Sequence, residues 1–497
     1  MTTTTDEATD AQTYDFGVPA QRGVFLGLSL SRVGIVGTGL FLMTIAMVAH
    51  VAVPLAVFPL LAAVAAAFVR IQGRRLDEWV PTLIGYARLT ASGGRSWRRG
   101  LPTAILARPG RPETGGAPVG ASHPLSPHPM LAGLEFTETR VAGVPIGVAV
   151  ASERGRLLTA VFSVTGNSCF ALLPRAEQAM AISSWGSVLS ETCLASNRLR
   201  SLQWVERTVP DLAAEAEVWM RDHLDSTSLG GPAFDDYAEL IDRLDQVAST
   251  HEVYLVAQIH TRPSDLEEAL SVAAPEWAAI SHRLAGIGLA PKPLSGSGLA
   301  ALLKSCADGT AYAGPEAGPG DTVPMATEVA WDHLRVDALY HRVLAVTAWP
   351  RVQVGPSWLE PLLVVGSAGS LRTLSVHLHP VAPDVARRKA RAAVAATAMD
   401  EDSRRKAGFI VGAQHRREAG DAERREAELV SGYGEHAIGA VCMVSAPTLE
   451  LLDAGTRTLV QGAVQSCLDV RVLYGAQSEG YVAAMPLAAL RFAKTVI

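Results

Sequence analysis

Residues 47–55 read MVAHVAVPL, and they lie in the middle of a run, 33–69, that contains no Asp, Glu, Lys or Arg. As one straight helix the run would extend roughly 55 Å at about 1.5 Å per residue, against a hydrocarbon core of about 30 Å. One span is too long. His50 at the midpoint supplies a polar point, and Pro54 and Pro59 just beyond it supply two helix breakers where a turn would go. The run is therefore expected to fold back on itself as a two-helix transmembrane hairpin within residues 24–72. A cleaved signal peptide fits poorly, because a charged n-region and an A-x-A-like exit are missing and the apolar stretch far exceeds an h-region.

The flanks orient this hairpin. Arg22 and Arg32 precede it, and Arg70, Arg74 and Arg75 follow, with Arg88, Arg95, Arg98 and Arg99 further on. Both ends are basic, so both termini are expected on the cytoplasmic side. The next stretch, RRLDEWVPTLIGYARL at 74–89, has apolar residues at helical spacing. It reads as an amphipathic helix along the inner leaflet, with Trp79 and Tyr86 at headgroup level.

Composition suits a cytosolic body behind that anchor. The five cysteines are odd in number and widely spaced, with no CxxC, which points to reduced core thiols and not to a disulfide frame or zinc site. A net charge of -6 argues against sequence-specific nucleic-acid binding by the whole chain.

Five regions follow along the chain: a disordered start (1–23), the hairpin (24–72), a juxtamembrane helix and linker (73–129), and two α+β subdomains at 130–290 and 325–497. The Gly/Pro/Ser/Arg-rich stretch 93–129 carries no period and reads as linker. Beyond it strand-like and helix-like stretches alternate: a hairpin at 144–165, helices at 175–197, 211–225, 234–247 and 264–284, and strands at 199–208 and 251–260. A second pass brings strands at 340–347, 371–379, 436–445 and 469–473, and a charged helical hairpin at 383–429. The fold class expected is α+β, with the transmembrane hairpin ahead of tandem ferredoxin-like mixed antiparallel sheets whose helices pack on one face.

Catalytic motifs are scarce. Lys304 and Lys494 precede Ser or Thr, but Leu303 and Ala493 stand where a phosphate-binding P-loop needs glycine. GSAGS at 366–370 reads as a surface turn. His377 and His379 share a strand face without further ligands at a recognisable spacing. WDHLRVDALYHR at 331–342 gathers Asp332, His333, Asp337 and His341, and reads as a polar interface or turn more readily than as an acid/base cluster. No catalytic, metal or cofactor residues are assigned, and no enzyme activity is expected.

Several stretches together resemble a family. YDFGVPAQRGVFLGLSLSR, RRLDEWVP, VAWDHLRVDALYHRVLAVTAWPRVQV with WLEPLL, and VLYGAQSEGYVAAMPLA occur in the order found in a family of actinobacterial conjugative-element membrane proteins. The last piece also resembles the close of the N-terminal domain of VirB-type type IV secretion ATPases, whose motor domain would follow where this chain ends. The resemblance implies a small inner-membrane subunit fused to the membrane-proximal domain of such an ATPase. Its implied partners are the bilayer, a separate P-loop motor ATPase, other secretion-channel subunits and further copies of itself. By the same resemblance the partner interface would include Leu473, Tyr474, Gly475, Gln477, Tyr481 and Pro486, with Trp331, Asp332 and His333 beside them. The alternatives are a membrane subunit of a type VII secretion system and, more remotely, a membrane-tethered enzyme.

Overall fold

The computed structural model describes residues 30–98, 129–209, 250–312, 324–406 and 412–488, apart from short stretches within those ranges, and elsewhere only scattered positions such as Tyr14. Of the expected disordered start, Tyr14 pairs with Val354 and Phe16 stacks on Trp349; the rest of it with Arg22, most of the linker and nearly all of the helices read at 211–225 and 234–247 lie outside the described residues.

Two helices open the described chain, α1 (Leu30–Val48) and α2 (Val53–Phe68). They fold back on each other through a turn in which His50 adopts a left-handed backbone, φ 53°. Gly39 lets them touch, since a Cβ there would stand 2.4 Å from the Ala63 Cβ. The transmembrane hairpin expected from the charge-free run is not supported: among the described residues no helix is long and apolar enough to cross a membrane. α2 has 16 residues, and α1 reaches 19 only by taking in Arg32. At about 1.5 Å per residue, α2 extends about 24 Å. Past Phe68 the chain leaves helix altogether for a small ribbon, β1 (Arg70–Ile71) with β2 (Arg74–Arg75), and then enters α3 (Leu76–Ala91).

The body is one continuous antiparallel sheet of 13 strands. Its first part holds β3 (Ser96–Arg98), β4 (Leu134–Val141), β5 (Val144–Ser152) and β6 (Arg156–Gly166), then α4 (Arg175–Thr192), β7 (Leu199–Val209), β8 (Thr250–Thr261), α5 (Leu266–Gly286) and β9 (Leu289–Pro293). Helix α6 (Gly296–Asp308) leads to β10 (Ala326–Val329), β11 (Leu334–Val336) and β12 (Leu339–Ala348). A short α7 (Glu360–Val364) precedes β13 (Leu371–Val381), which runs into the paired helices α8 (Pro383–Lys406) and α9 (Ala413–Val430). The chain closes with β14 (Glu435–Ala446), α10 (Leu449–Gln465), β15 (Asp469–Val472) and α11 (Gln477–Ala484).

The same connectivity occurs twice. β6, α4, β7, β8, α5 and β9 give the strand order β9-β6-β8-β7, and β12, α7, β13, β14, α10 and β15 give β15-β12-β14-β13. Each is a split βαβ arrangement. Strands β7 and β13 then pair with each other, from Arg372 opposite Thr208 to Leu378 opposite Leu202, so the two units share one sheet. This corrects the expectation of separate mixed sheets.

Helices cover both faces, which corrects the expected one-sided packing. Alternate residues of β6 and β8 divide between the faces: Leu158, Phe162, Leu255 and Ile259 meet Ala273, Trp277 and Leu284 of α5, while Val161 and Val256 face Leu299 and Leu303 of α6. In the second unit Leu344, Leu374 and Cys442 pack on Leu452 and Leu459 of α10. Capping sets where these helices begin. Asp265 accepts the Glu268 N–H at 3.0 Å, Ser295 that of Gly298 at 3.1 Å and Thr448 that of Leu451 at 3.3 Å. The α8–α9 pair stands out from the sheet end where β13 finishes and β14 begins. Ala386 and Ala390 are buried, and the exposed surface carries ion pairs one turn apart, such as Arg404 with Asp400 at 2.8 Å.

Candidate functional site

The residues expected at headgroup level and those expected at a partner interface meet each other. Trp79 of α3 is only 7% exposed and stacks on Trp331 with ring centres 5.9 Å apart. It also lies 6.3 Å from the Tyr474 ring, and Tyr86 sets its edge 4.9 Å from Trp331. Arginines complete the cluster, with Arg74 5.5 Å from the Trp79 ring centre and Arg95 5.6 Å from that of Tyr86. Arg95 Nε also donates to the Val329 carbonyl at 3.0 Å. Trp79 and Tyr86 therefore bind protein and not a lipid surface.

Gly475 makes this close approach possible. Its φ is +70°, its N–H donates to the Trp331 carbonyl at 2.7 Å, and an added Cβ would lie 2.5 Å from the Trp331 ring and 2.9 Å from Thr82. Tyr474, Gly475 and Trp331 are thus covered by α3 of the same chain. Four further interface candidates, Leu473, Gln477, Tyr481 and Pro486, are buried. Gln477 has no exposed surface: its Oε1 accepts the Val343 N–H at 2.8 Å and its Nε2 donates to the Leu473 carbonyl at 3.0 Å. These residues close the second unit and present nothing to a partner. Asp332 and His333 stay part-exposed at the rim. Burial would raise the Asp332 carboxyl, but its bond to His333 Nδ1 at 2.9 Å and the Arg342 guanidinium at 2.7 Å outweigh that and hold it below the usual carboxylate range.

Among the residues expected to flank a membrane, Arg22 lies outside the described residues and Arg32 falls within α1. Arg70 and Arg75 are register partners across the small ribbon. Arg74 is 7% exposed, over Trp79 and bonded to Thr82 Oγ1 at 3.4 Å, so it is a structural residue.

No family model matches the chain, and no curated protein matches it.

The buried polar groups are wired for structure. His341 is fully buried, gives or takes one bond with Ser445 Oγ at 2.7 Å, and packs on the Tyr481 ring; burial pushes its pKa down to about 3, so it stays neutral near pH 7. His377 is likewise pushed down by burial, to about 4, and sits 2.9 Å from the Ala483 carbonyl. No group of three metal-ligating side chains occurs among the described residues. Cys193 lies 3.4 Å from His436 Nε2, an arrangement with the look of a nucleophile and its base. Burial, however, pushes the thiol pKa up and the His436 pKa down to about 4, which leaves a neutral thiol beside a neutral imidazole. The two residues are 243 apart in the chain, so no local motif announces them.

A buried charged network spans the seam between the units. Glu206 on β7 accepts from His251 Nδ1 at 2.6 Å, Thr208 Oγ1 at 2.7 Å and Arg372 Nη2 on β13 at 3.2 Å. Burial would raise this carboxyl; the three donors more than reverse that and hold it below its usual range.

Proposed function

We propose that the chain is a non-catalytic structural subunit held at the bacterial cell membrane by its apolar helix pair, with the sheet body on the cytoplasmic side. It serves a conjugative, type IV-like secretion apparatus and docks the motor ATPase of that apparatus at the membrane. The observation that carries the membrane part is the surface of α1 and α2. α2 has no polar or charged side chain, and Val48, Leu55 and Phe58 are 76%, 70% and 69% exposed. A helix apolar on all sides needs an apolar surrounding, and a surface of this extent is far from that of an ordinary monomer. Exposed apolar side chains occur along both helices, from Leu40 to Val48 on α1 and from Val53 to Phe68 on α2, a distribution that suits lipid. The pair buries itself in the apolar part of a bilayer face, and α3 ties it to the sheet through Trp79 and Tyr86, with Arg95 just beyond the helix bonded to Val329.

The assembly rests on the order of motifs that resembles the conjugative-element family. With the C-terminal candidates buried, the expected docking contact reduces to Asp332 and His333 beside α3, at the membrane-proximal end of the sheet. A scaffold of this kind needs rigid surfaces and no reactive group, and the neutral buried histidines and thiols suit that role. Extraction of the native complex in mild detergent, followed by identification of copurifying chains, tests the assignment. A P-loop ATPase and secretion-channel subunits recovered with the protein, and reduced on Asp332→Ala with His333→Ala, are the expected result. Recovery of paired small WxG-type substrates, or of no secretion component, would overturn it.

A further inference from the structure

At the other end of the sheet lies a cavity of about 780 Å³, bounded by the start of β6, the start of β7, the end of β8 and the first turn of α5. Its volume falls in the range of small-molecule sites, roughly 300–1,000 Å³. Arg198, Arg200 and Arg262 line it with His260, against the single carboxylate of Glu268. None of the three guanidinium groups forms an ion pair among the described residues, and all three side chains are exposed at the cavity rim. Other arginines of this acidic chain do find carboxylates, as Arg207 does with Glu252 at 2.7 Å and Arg283 with Glu191 at 2.7 Å. Three like charges lining one cavity repel one another, and a bound anion offsets that repulsion.

The backbone also aims one of them. Leu199 pairs with Ile259 and Ser201 with Gln258, so Arg200 is the extra residue of a β-bulge, a device that redirects a side chain out of the strand's alternation. Leu157, Leu199, Pro263 and Val272 add apolar wall, with Thr261 between. No aromatic ring other than the His260 imidazole is among the described residues that line the cavity.

We infer that this cavity binds a soluble, phosphate-bearing small molecule, its oxyanion gripped by Arg198, Arg200 and Arg262 and its organic part against the apolar wall. The planar guanidinium fork matches phosphate oxygens in paired hydrogen bonds. A lipid headgroup is disfavoured by position. In the shared sheet the cavity lies at the end where β14 starts, and the Trp331 and Gly475 contact covered by α3 lies toward the end where β14 finishes. At about 3.3 Å per residue that is roughly 25–35 Å along the strands. The choice of a soluble ligand over a lipid headgroup rests on the bilayer attachment proposed for α1 and α2; the site itself rests neither on that attachment nor on the secretion assignment.

Calorimetric titration of the full-length protein in mild detergent with pyrophosphate, at fixed ionic strength, tests it. Saturable one-to-one binding is expected, weakened about tenfold or more in each of Arg198→Gln, Arg200→Gln and Arg262→Gln, with circular dichroism and melting unchanged. Because each replaced side chain is exposed, these variants should fold. Absence of saturable binding, or binding that survives the triple replacement, would overturn the site. A glutamate-rich peptide that binds more tightly than pyrophosphate would overturn the ligand class in favour of an acidic protein segment.

Discussion

Arg372→Met should destabilise the protein by about 3–5 kcal/mol, the cost of stranding a buried carboxylate without its cation. Arg372 and Glu206 are 7% and 5% exposed, so water cannot replace the lost partner. Arg372 also donates to the Leu362 carbonyl and to Thr208 Oγ1, which ties α7, β13 and β7 together at the seam between the units. Urea unfolding followed by circular dichroism reads the loss as a fall in midpoint. The double variant Arg372→Met with Glu206→Gln should recover part of it, since the uncompensated charge is gone. The pH dependence has a definite sign. Glu206 titrates below its unfolded value of about 4.3, so its contribution is complete above that value and is lost as pH falls through the lower folded value. In Arg372→Met burial is no longer offset by the guanidinium, so Glu206 should titrate higher than in the wild type, and the gap in stability between variant and wild type should narrow on acidification as the stranded carboxylate is protonated. Equal midpoints for wild type and Arg372→Met would show that the seam carries no such network.

Gln477→Ala comes second in expected effect. The replacement leaves the buried Val343 N–H without its 2.8 Å acceptor and opens a void at the start of α11. An orphaned buried donor costs about 1–3 kcal/mol, to which the void adds. Thermal melting should fall by several degrees, at about 2–4 °C per kcal/mol. Tyr474→Ala, at a half-buried position against Trp79, should cost less and should instead expose α3 to protease. Unchanged melting of Gln477→Ala together with loss of a bound partner would restore Gln477 as an interface residue.

What could be read in the chain divides along physical lines. Local patterns showed themselves: VAVA and LTAVFSV alternate because one strand face meets α5 and the other α6, and the apolar period of 74–89 became α3. The partner of a face was not legible. Trp79 and Tyr86 fit a headgroup region and a tryptophan platform equally well by composition, and only the long-range approach of Trp331, some 250 residues on, decides between them. The same holds for Gln477, whose amide would suit an interface but satisfies Val343 inside the sheet. Pairing of β7 with β13 joins segments more than 160 residues apart, so neither the shared sheet nor the Glu206–Arg372 network left a local trace. The arginine-lined cavity escaped notice for that reason too: Arg198 and Arg200 open one strand, and Arg262 follows the end of another. In the charge-free run, absence of charge was visible, but the helix boundaries that shorten α2 to 16 residues were not.

The central claim is that α1 and α2 hold the body on a bilayer, and flotation with liposomes made from bacterial lipids tests it most directly. The full-length chain should rise with the vesicles through a density gradient and remain with them in 1 M salt, because the attachment is apolar. Phe41→Asp with Phe58→Asp, at side chains 65% and 69% exposed, should leave the sheet folded and shift the protein to the bottom fraction. Wild-type protein that stays at the bottom, monodisperse in buffer without detergent, would contradict the account.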